Sequence, residues 1–299
     1  MASTTTTEKE DETSDDKVHQ TFDIRFLHPT IEILTIPARS DNYMYLIVDK
    51  SSDPPIAGVV DPFDSDRIAN VCKTRGIVLD CILTTHSHYD HDGGNEDCIK
   101  CIPSIKKIYG GVGDGVKGVT IEVDETSRFT IGTIPVTVLS TPCHTKGHVC
   151  YMIHPSSSPS CLFTGDTMFV GGCGNFNAGT PKMMAEAFSK LGRCSKDTLV
   201  YVGHEYTIAN LQYAAYVEPK NETIRKKLIW AKDRVEKGLF TVPTTIGQEH
   251  LTNPFLRAVF GVESVRQHCN KDNPIDAIAY VRSEKSDGRW KKKIETSRV

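Results

Sequence analysis

The segment LDCILTTHSHYDHDGG, residues 79–94, most constrains what this chain can fold into. An apolar, β-rich run, Leu79 to Thr85, leads straight into His86, His88, Asp90 and His91. A strand suited to a sheet interior thus ends in a cluster that packing cannot use, because buried polar groups without partners cost free energy. In an extended backbone, positions i and i+2 face the same side, so His86 and His88 can grip one ion. Asp90 and His91, at the turn that follows, point elsewhere and suit a second ion close by. Imidazole and carboxylate are ligands for zinc, iron or manganese. Gly93-Gly94 then lets the backbone turn tightly.

Four ligands do not fill two metal spheres, so more must come from downstream. Three strand-to-loop junctions offer them, the usual place for site residues on a rigid sheet. Thr141-Pro142-Cys143-His144-Thr145-Lys146-Gly147-His148 carries two histidines. Phe163-Thr164-Gly165-Asp166-Thr167 carries an aspartate, and Val202-Gly203-His204-Glu205-Tyr206 a further histidine.

The surrounding pattern is strand-rich at first and helical later. Short β-rich runs are expected at 31–37, 43–48, 57–60, 79–85, 107–109, 120–123, 134–139, 149–154, 161–163 and 199–202. A helix is expected over 66–75, capped by Asp64 or Ser65, and another begins at Thr180-Pro181, with Ala185, Phe188 and Leu191 as its apolar stripe. Leu228, Trp230, Ala231 and Val235 fall at helical spacing over 224–235, and a last helix is expected over 274–285. Such an order predicts two packed sheets with helices outside. Residues 286–299 read as a loose basic end.

Bulk composition removes several alternatives. A net charge of −3 gives no overall case for nucleic acid or an acidic membrane surface. No apolar run is long enough to span a bilayer. Residues 1–22 are polar and acidic, so they predict a disordered tail without the apolar middle of a signal peptide or the arginines of a transit peptide. The expected location is the cytoplasm, and the expected state a monomer. The ten cysteines then predict reduced, mostly buried thiols. Cys98-Ile-Lys-Cys101 has no second pair nearby to complete a zinc site.

Taken together, THxHxDH, Thr-Pro-x-His-Thr-x-Gly-His, Thr-Gly-Asp and Gly-His-Glu-Tyr resemble the metallo-β-lactamase superfamily, and within it glyoxalase II, the hydroxyacylglutathione hydrolases. The resemblance runs from about residue 31 to 285. It includes Ser40 to Tyr45, Val60-Asp61-Pro62, Gly171 to Gly174, Asn253-Pro254-Phe255 and Val281 to Lys285. It implies an α+β fold: an αββα sandwich over 23–205 and a helical C-terminal, substrate-binding domain over 206–299. It implies two divalent metals, zinc foremost, with iron or manganese also suited. His86, His88 and His144 would hold the first, Asp90, His91 and His204 the second, and Asp166 would bridge. His148 would be a neighbour rather than a ligand, and Asp61 would orient a ligand histidine or cap its strand. Asp90 would also act in catalysis. The implied reaction is hydrolysis of an S-(2-hydroxyacyl)glutathione, S-D-lactoylglutathione foremost, to D-lactate and glutathione. Another thiol ester, or a mononuclear iron persulfide dioxygenase, is the competing reading. Tyr206, Arg282 and Lys285 match positions that bind glutathione. Asn175 and Asn177 stand where close relatives carry a basic residue and an aromatic one.

Overall fold

The computed structural model describes residues 22–156 and 158–296. The acidic tail expected over 1–22 therefore lies outside the described residues, Phe22 excepted. The first sheet contains β1 (Asp23–His28), β2 (Ile31–Ala38), β3 (Asn42–Asp49), β4 (Ile56–Val60), β5 (Val78–Leu83), β6 (Lys107–Gly111) and β7 (Ile121–Val123), paired in that order. The pairs are antiparallel from β1 to β4 and parallel from β4 to β7. The second sheet runs β15 (Thr244–Thr245), β14 (Leu199–Tyr201), β11 (Cys161–Phe163), β10 (Val149–Ile153), β9 (Ile134–Ser140) and β8 (Arg128–Ile131). A small hairpin pairs β12 (Met168–Phe169) with β13 (Gly172–Cys173).

Period-two alternation divides the core. Ile31, Ile33, Tyr43, Tyr45 and Ile47 face the second sheet, joining Val136, Val138, Tyr151 and Phe163. Their alternates Leu34, Ile36, Leu46 and Val48 pack with Ile68, Val71 and Cys72 of α1 (Ser65–Arg75) and Cys98 of α3 (Asn95–Cys101). Strands covered on both faces read as near-continuous apolar runs, which is why they were visible in the sequence. Helix α1 starts where expected: Asp64 accepts the Arg67 N–H at 3.0 Å, and Gly76 closes the helix at φ 63°.

The other side is covered by α4 (Pro181–Gly192), whose Thr180 cap accepts from Met183 N–H, and by later helices. These are α5 (Thr207–Val217), α6 (Glu222–Glu236), α7 (Ile246–Thr252), α8 (Pro254–Val259), α9 (Glu263–Cys269), α10 (Pro274–Asp287) and α11 (Arg289–Thr296). The apolar core continues from the sheets into Phe255, Leu256, Ala277 and Val281. The architecture is an α+β helix–sheet–sheet–helix sandwich with a helical C-terminal region.

Two expectations need correction. Residues 286–296 are not a loose end, because α11 is a helix and Trp290 is buried against Tyr213 and Tyr216; residues 297–299 lie outside the described residues. The apolar stripe of α6 is also narrower than its spacing implied. Ile224 and Ala231 are buried, but Trp230 and Val235 are exposed. Helix α6 lies on the surface and turns one thin face toward α5. Among the described residues, no helix is long and apolar enough to cross a membrane.

Candidate metal centre

Every expected ligand lies in a loop at one end of the two sheets. His86 and His88 follow β5, and Asp90 and His91 sit on the one-turn α2 (Tyr89–Asp92). His144 lies between β9 and β10, Asp166 after β11 and His204 after β14. Backbone bonds stitch these loops together: Val149 N–H to Thr85 O at 2.9 Å, Gly203 N–H to Gly165 O at 3.0 Å, and Tyr43 N–H to Gly203 O at 2.9 Å.

Three groups of donor atoms result, each within 4.8 Å of one another: His86, His88 and His144; His86, His91 and Asp166; Asp90, His91 and His204. His88 Nδ1 lies 3.1 Å from His86 Nε2 and 3.0 Å from His144 Nε2. His91 Nε2 and His204 Nε2 are 3.2 Å apart. Asp166 reaches both sides, with Oδ1 3.3 Å from His91 Nε2 and Oδ2 3.4 Å from His144 Nε2. Asp90 Oδ2 is 3.3 Å from His204 Nε2.

The outer ring atoms fix the tautomers. His144 Nδ1 donates to the Asn175 carbonyl at 3.0 Å. His204 Nδ1 donates to Asp41 Oδ1 at 2.7 Å, and His91 Nδ1 to Asp61 Oδ2 at 2.9 Å. Thr85 Oγ1 gives its own hydrogen to Asp61 Oδ2 and so accepts from His86 Nδ1 at 3.0 Å. In the neutral rings, each Nε2 therefore turns a bare lone pair inward. With the rings neutral, the Nε2 lone pairs of His86, His91, His144 and His204 converge with two carboxylates, and Asp166 Oδ1 is buried with no hydrogen-bond partner. Such an acceptor-only nest costs free energy unless cations fill it. The donor set, nitrogen and oxygen only, fits divalent metals.

Charge points the same way. Burial pushes the His91 and His204 pKa values down, but Asp166 and Asp61 for the first, and Asp90 and Asp166 for the second, hold both above the ordinary value. Burial and the neighbouring rings push His86 and His148 well below it. Burial also lowers His144, although Asp166 opposes it. Asp90 is held low, chiefly by its bond to His204, and Asp166 is held low by His91 and His204 despite its burial. The carboxylates stay ionised, and His91 and His204 are the positive partners that hold them so.

His148 is a support, as expected. Its Nε2 accepts the Asp166 N–H at 3.2 Å, and its Nδ1 faces Thr141 Oγ1 at 2.9 Å and Thr167 Oγ1 at 3.1 Å. Asp61 both orients His91 and caps its strand, taking Thr85 N–H at 2.7 Å. Asp41 and Asn42, in the Ser40 to Tyr45 run, add two supports that their sequence context does not mark. Asn42 Nδ2 donates to Asp90 Oδ2 at 3.0 Å. Burial pushes the nearby thiols up, Cys143 to about 11 and Cys173 to about 12, which favours the protonated form.

The other expected residues gather beside this centre. Tyr206 stacks on His204, ring centroids 4.8 Å apart and planes 3° from parallel. Arg282 and Lys285, one turn apart on α10, both lie over Phe255. Arg282 Nη1 donates to the Cys173 carbonyl at 2.6 Å, and Lys285 Nζ to Asn210 Oδ1. Cys173 precedes Gly174, where a Cβ would lie 3.2 Å from His144 Nδ1. Asn175 is exposed and reaches the centre through its carbonyl, while Asn177 is exposed beyond it.

Comparison with known proteins defines the class first. The fold is that of a metallo-β-lactamase from Staphylococcus aureus, with TM-score 0.56 and 19% identity over 80% of this chain and 62% of that one. ETHE1 from Myxococcus xanthus shares it, with TM-score 0.57 and 21% identity over 90% and 100%. This is a metallo-β-lactamase-like fold whose strand ends carry a histidine–aspartate cluster able to hold metal. A family model described as hydroxyacylglutathione hydrolase C-terminus matches residues 205–287. The cytoplasmic hydroxyacylglutathione hydrolase of Arabidopsis thaliana is 40% identical over 87% of this chain and 100% of its own length. The chain belongs to the hydroxyacylglutathione hydrolase family, and so to the thioester hydrolases.

Proposed function

We propose that this chain hydrolyses S-(2-hydroxyacyl)glutathione thioesters, S-D-lactoylglutathione foremost, at a two-metal centre. His86, His88 and His144 would hold one ion and Asp90, His91 and His204 the other, with Asp166 a ligand shared by both sets. The observation that carries the reading is the convergence of five imidazoles and two carboxylates, with the outer nitrogens of His86, His91, His144 and His204 already engaged by accepting partners. Residues 23–205 form the catalytic part and 206–299 the part that grips the thiol carrier. The protein works as a cytoplasmic monomer.

Divalent cations held by these residues, zinc by preference and iron or manganese by ligand type, would supply Lewis acidity and a water whose pKa is near neutral. The chain's own work is to hold charge and geometry. Asp90, half-buried and fixed by Asn42, keeps an ionised oxygen at the mouth that accepts a hydrogen bond from the attacking water. Asp41 and Asp61 lock the His204 and His91 rings, so little reorganisation is needed during reaction. Tyr206 walls the thiol side, and Arg282 and Lys285 supply positive charge for a glutathione carboxylate. The leaving thiol has an ordinary pKa of about 8.5, so its thiolate departs without a strong acid.

The test follows the thioester absorbance of S-D-lactoylglutathione with metal-loaded protein. Rapid loss that a chelator abolishes, and that added zinc restores, is expected. Loaded protein that leaves this thioester intact would move the substrate to another thiol or acyl class.

A further inference from the structure

The first ligand set draws on loops from two different sheets, and a third segment ties those loops together. From the last two residues of β6 onward, residues 110–118 read GGVGDGVKG. The glycines allow close passage. A Cβ on Gly111 would lie 1.7 Å from the Gly147 carbonyl oxygen, and one on Gly147 would lie 2.4 Å from that of Val112. Gly113 and Gly115 take φ of 69° and 77°, in the left-handed region where only glycine is unstrained. Asp114 stands between them, and its carboxylate is used twice. Oδ2 accepts the Ser87 N–H at 2.8 Å, and Oδ1 accepts the Gly147 N–H at 2.7 Å. Ser87 lies between His86 and His88, and Gly147 follows His144 in the next loop. The segment is itself anchored. Lys117 N–H donates to Asp92 Oδ2 at 3.0 Å, and its carbonyl accepts Asn95 Nδ2 at 2.9 Å. One carboxylate holding an N–H on each oxygen therefore fixes how far apart the two histidine loops stand.

We propose that Asp114 is a positioning residue that sets the spacing of His86 and His88 from His144, and with it the affinity of the first metal site. This rests on the reading that these three histidines hold an ion. The second set makes no bond to Asp114 among those described, being tied by Asp61, Asp41 and Asn42, so loss of Asp114 falls chiefly on one equivalent of metal. Asparagine is isosteric but keeps a single acceptor oxygen. Its amide group would face one of the two N–H donors, and that tie would become a donor–donor contact.

The test is competition titration of zinc against a chromophoric chelator, with full-length wild type, Asp114→Asn and Asp114→Ala. Asp124→Asn is the control, since that carboxylate caps the β7–β8 turn through Thr126. Wild type should take up two equivalents. Asp114→Asn should weaken one of them about 10- to 100-fold and leave the other within about threefold. Its metal-free melting temperature should stay near that of wild type, and Asp124→Asn should alter neither equivalent. Two unchanged equivalents in both Asp114 variants would overturn the proposal. Equal weakening of both, with matching loss of metal-free stability, would overturn it too, since that marks a fold-wide role. A wild type that takes up no zinc would sink the metal reading beneath it, a result distinct from either.

Discussion

Asp61 concentrates the logic of the centre in one side chain. Its φ is 49°, a left-handed conformation that costs a non-glycine residue free energy. The turn aims one carboxylate at Thr85 N–H, Thr85 Oγ1 and His91 Nδ1 together. Asp166 has the opposite character: one oxygen is left without a hydrogen-bond partner, between two ligand sets. If it bridges, neither ion survives its loss intact. Asp166→Ala should fall below two metals per chain by elemental analysis, with kcat/KM down at least about 100-fold. A variant that keeps two metals would refute the bridge. His86, His88, Asp90 and His91 were legible in the sequence because three histidines and an aspartate beside a strand serve no packing purpose, whereas the roles of Asp61 and Asp166 came with the family resemblance. Asp41, Asn42 and Asp114 were not, because each acts on a partner far along the chain, and a lone loop carboxylate looks like any solvated one.

At the scale of elements, what the sequence disclosed depended on length and burial. Strands β2 to β5 are apolar on both faces and announced themselves. Helices α7, α8 and α9 have seven, six and seven residues, too short for a helical period to declare itself. In α11 the charges of RWKKK masked a helix that one buried tryptophan holds down. The joining of the two sheets was hidden for the same reason as Asp114. Asp49, at the end of β3, takes Thr133 N–H at 2.6 Å, Thr133 Oγ1 at 2.7 Å and Ser51 N–H at 2.9 Å, which ties the first sheet to the β8–β9 turn of the second. Burial raises its pKa, but these bonds outweigh it and hold the carboxyl below its usual range. A lowered carboxylate pKa stabilises the fold above the unfolded value, about 3.9, and that gain is lost as pH falls through the folded value. Asp49→Asn should therefore cost about 1–3 kcal/mol at pH 7, with the gap to wild type closing below about pH 4 in urea melts. A gap that stays constant down to pH 3 would mean the bonds do not depend on the charge.

Across the whole molecule, the helical region does more than cover the second sheet. It grips the β12–β13 hairpin that borders the metal centre. Asn253 Nδ2 donates to the Phe169 and Gly172 carbonyls, Gly171 N–H donates to the fully buried Glu249, and Asn210 Nδ2 donates to the Val170 carbonyl. Lys285 sits at this junction. Burial, then the Arg282 and Lys291 charges, push its pKa down to about 7, with Cys173 opposing. It therefore loses its proton as pH rises through about 7, and the Arg282–Lys285 pair drops from two charges to one. If that pair binds an anionic carrier, KM for the glutathione thioester should climb above pH 7 while kcat holds. Lys285→Met should raise KM about 10- to 100-fold at pH 6 and remove the upward limb. Stability gives an independent reading of the same proton. An unfolded lysine keeps its proton to about pH 10.4, so between 7 and that value the unfolded chain binds more protons and the fold gains stability as pH rises. Lys285→Met should flatten that rise in urea melts. A rise in stability with a flat KM from pH 6 to 9 would show that Lys285 titrates as buried but that the carrier's charge rests elsewhere.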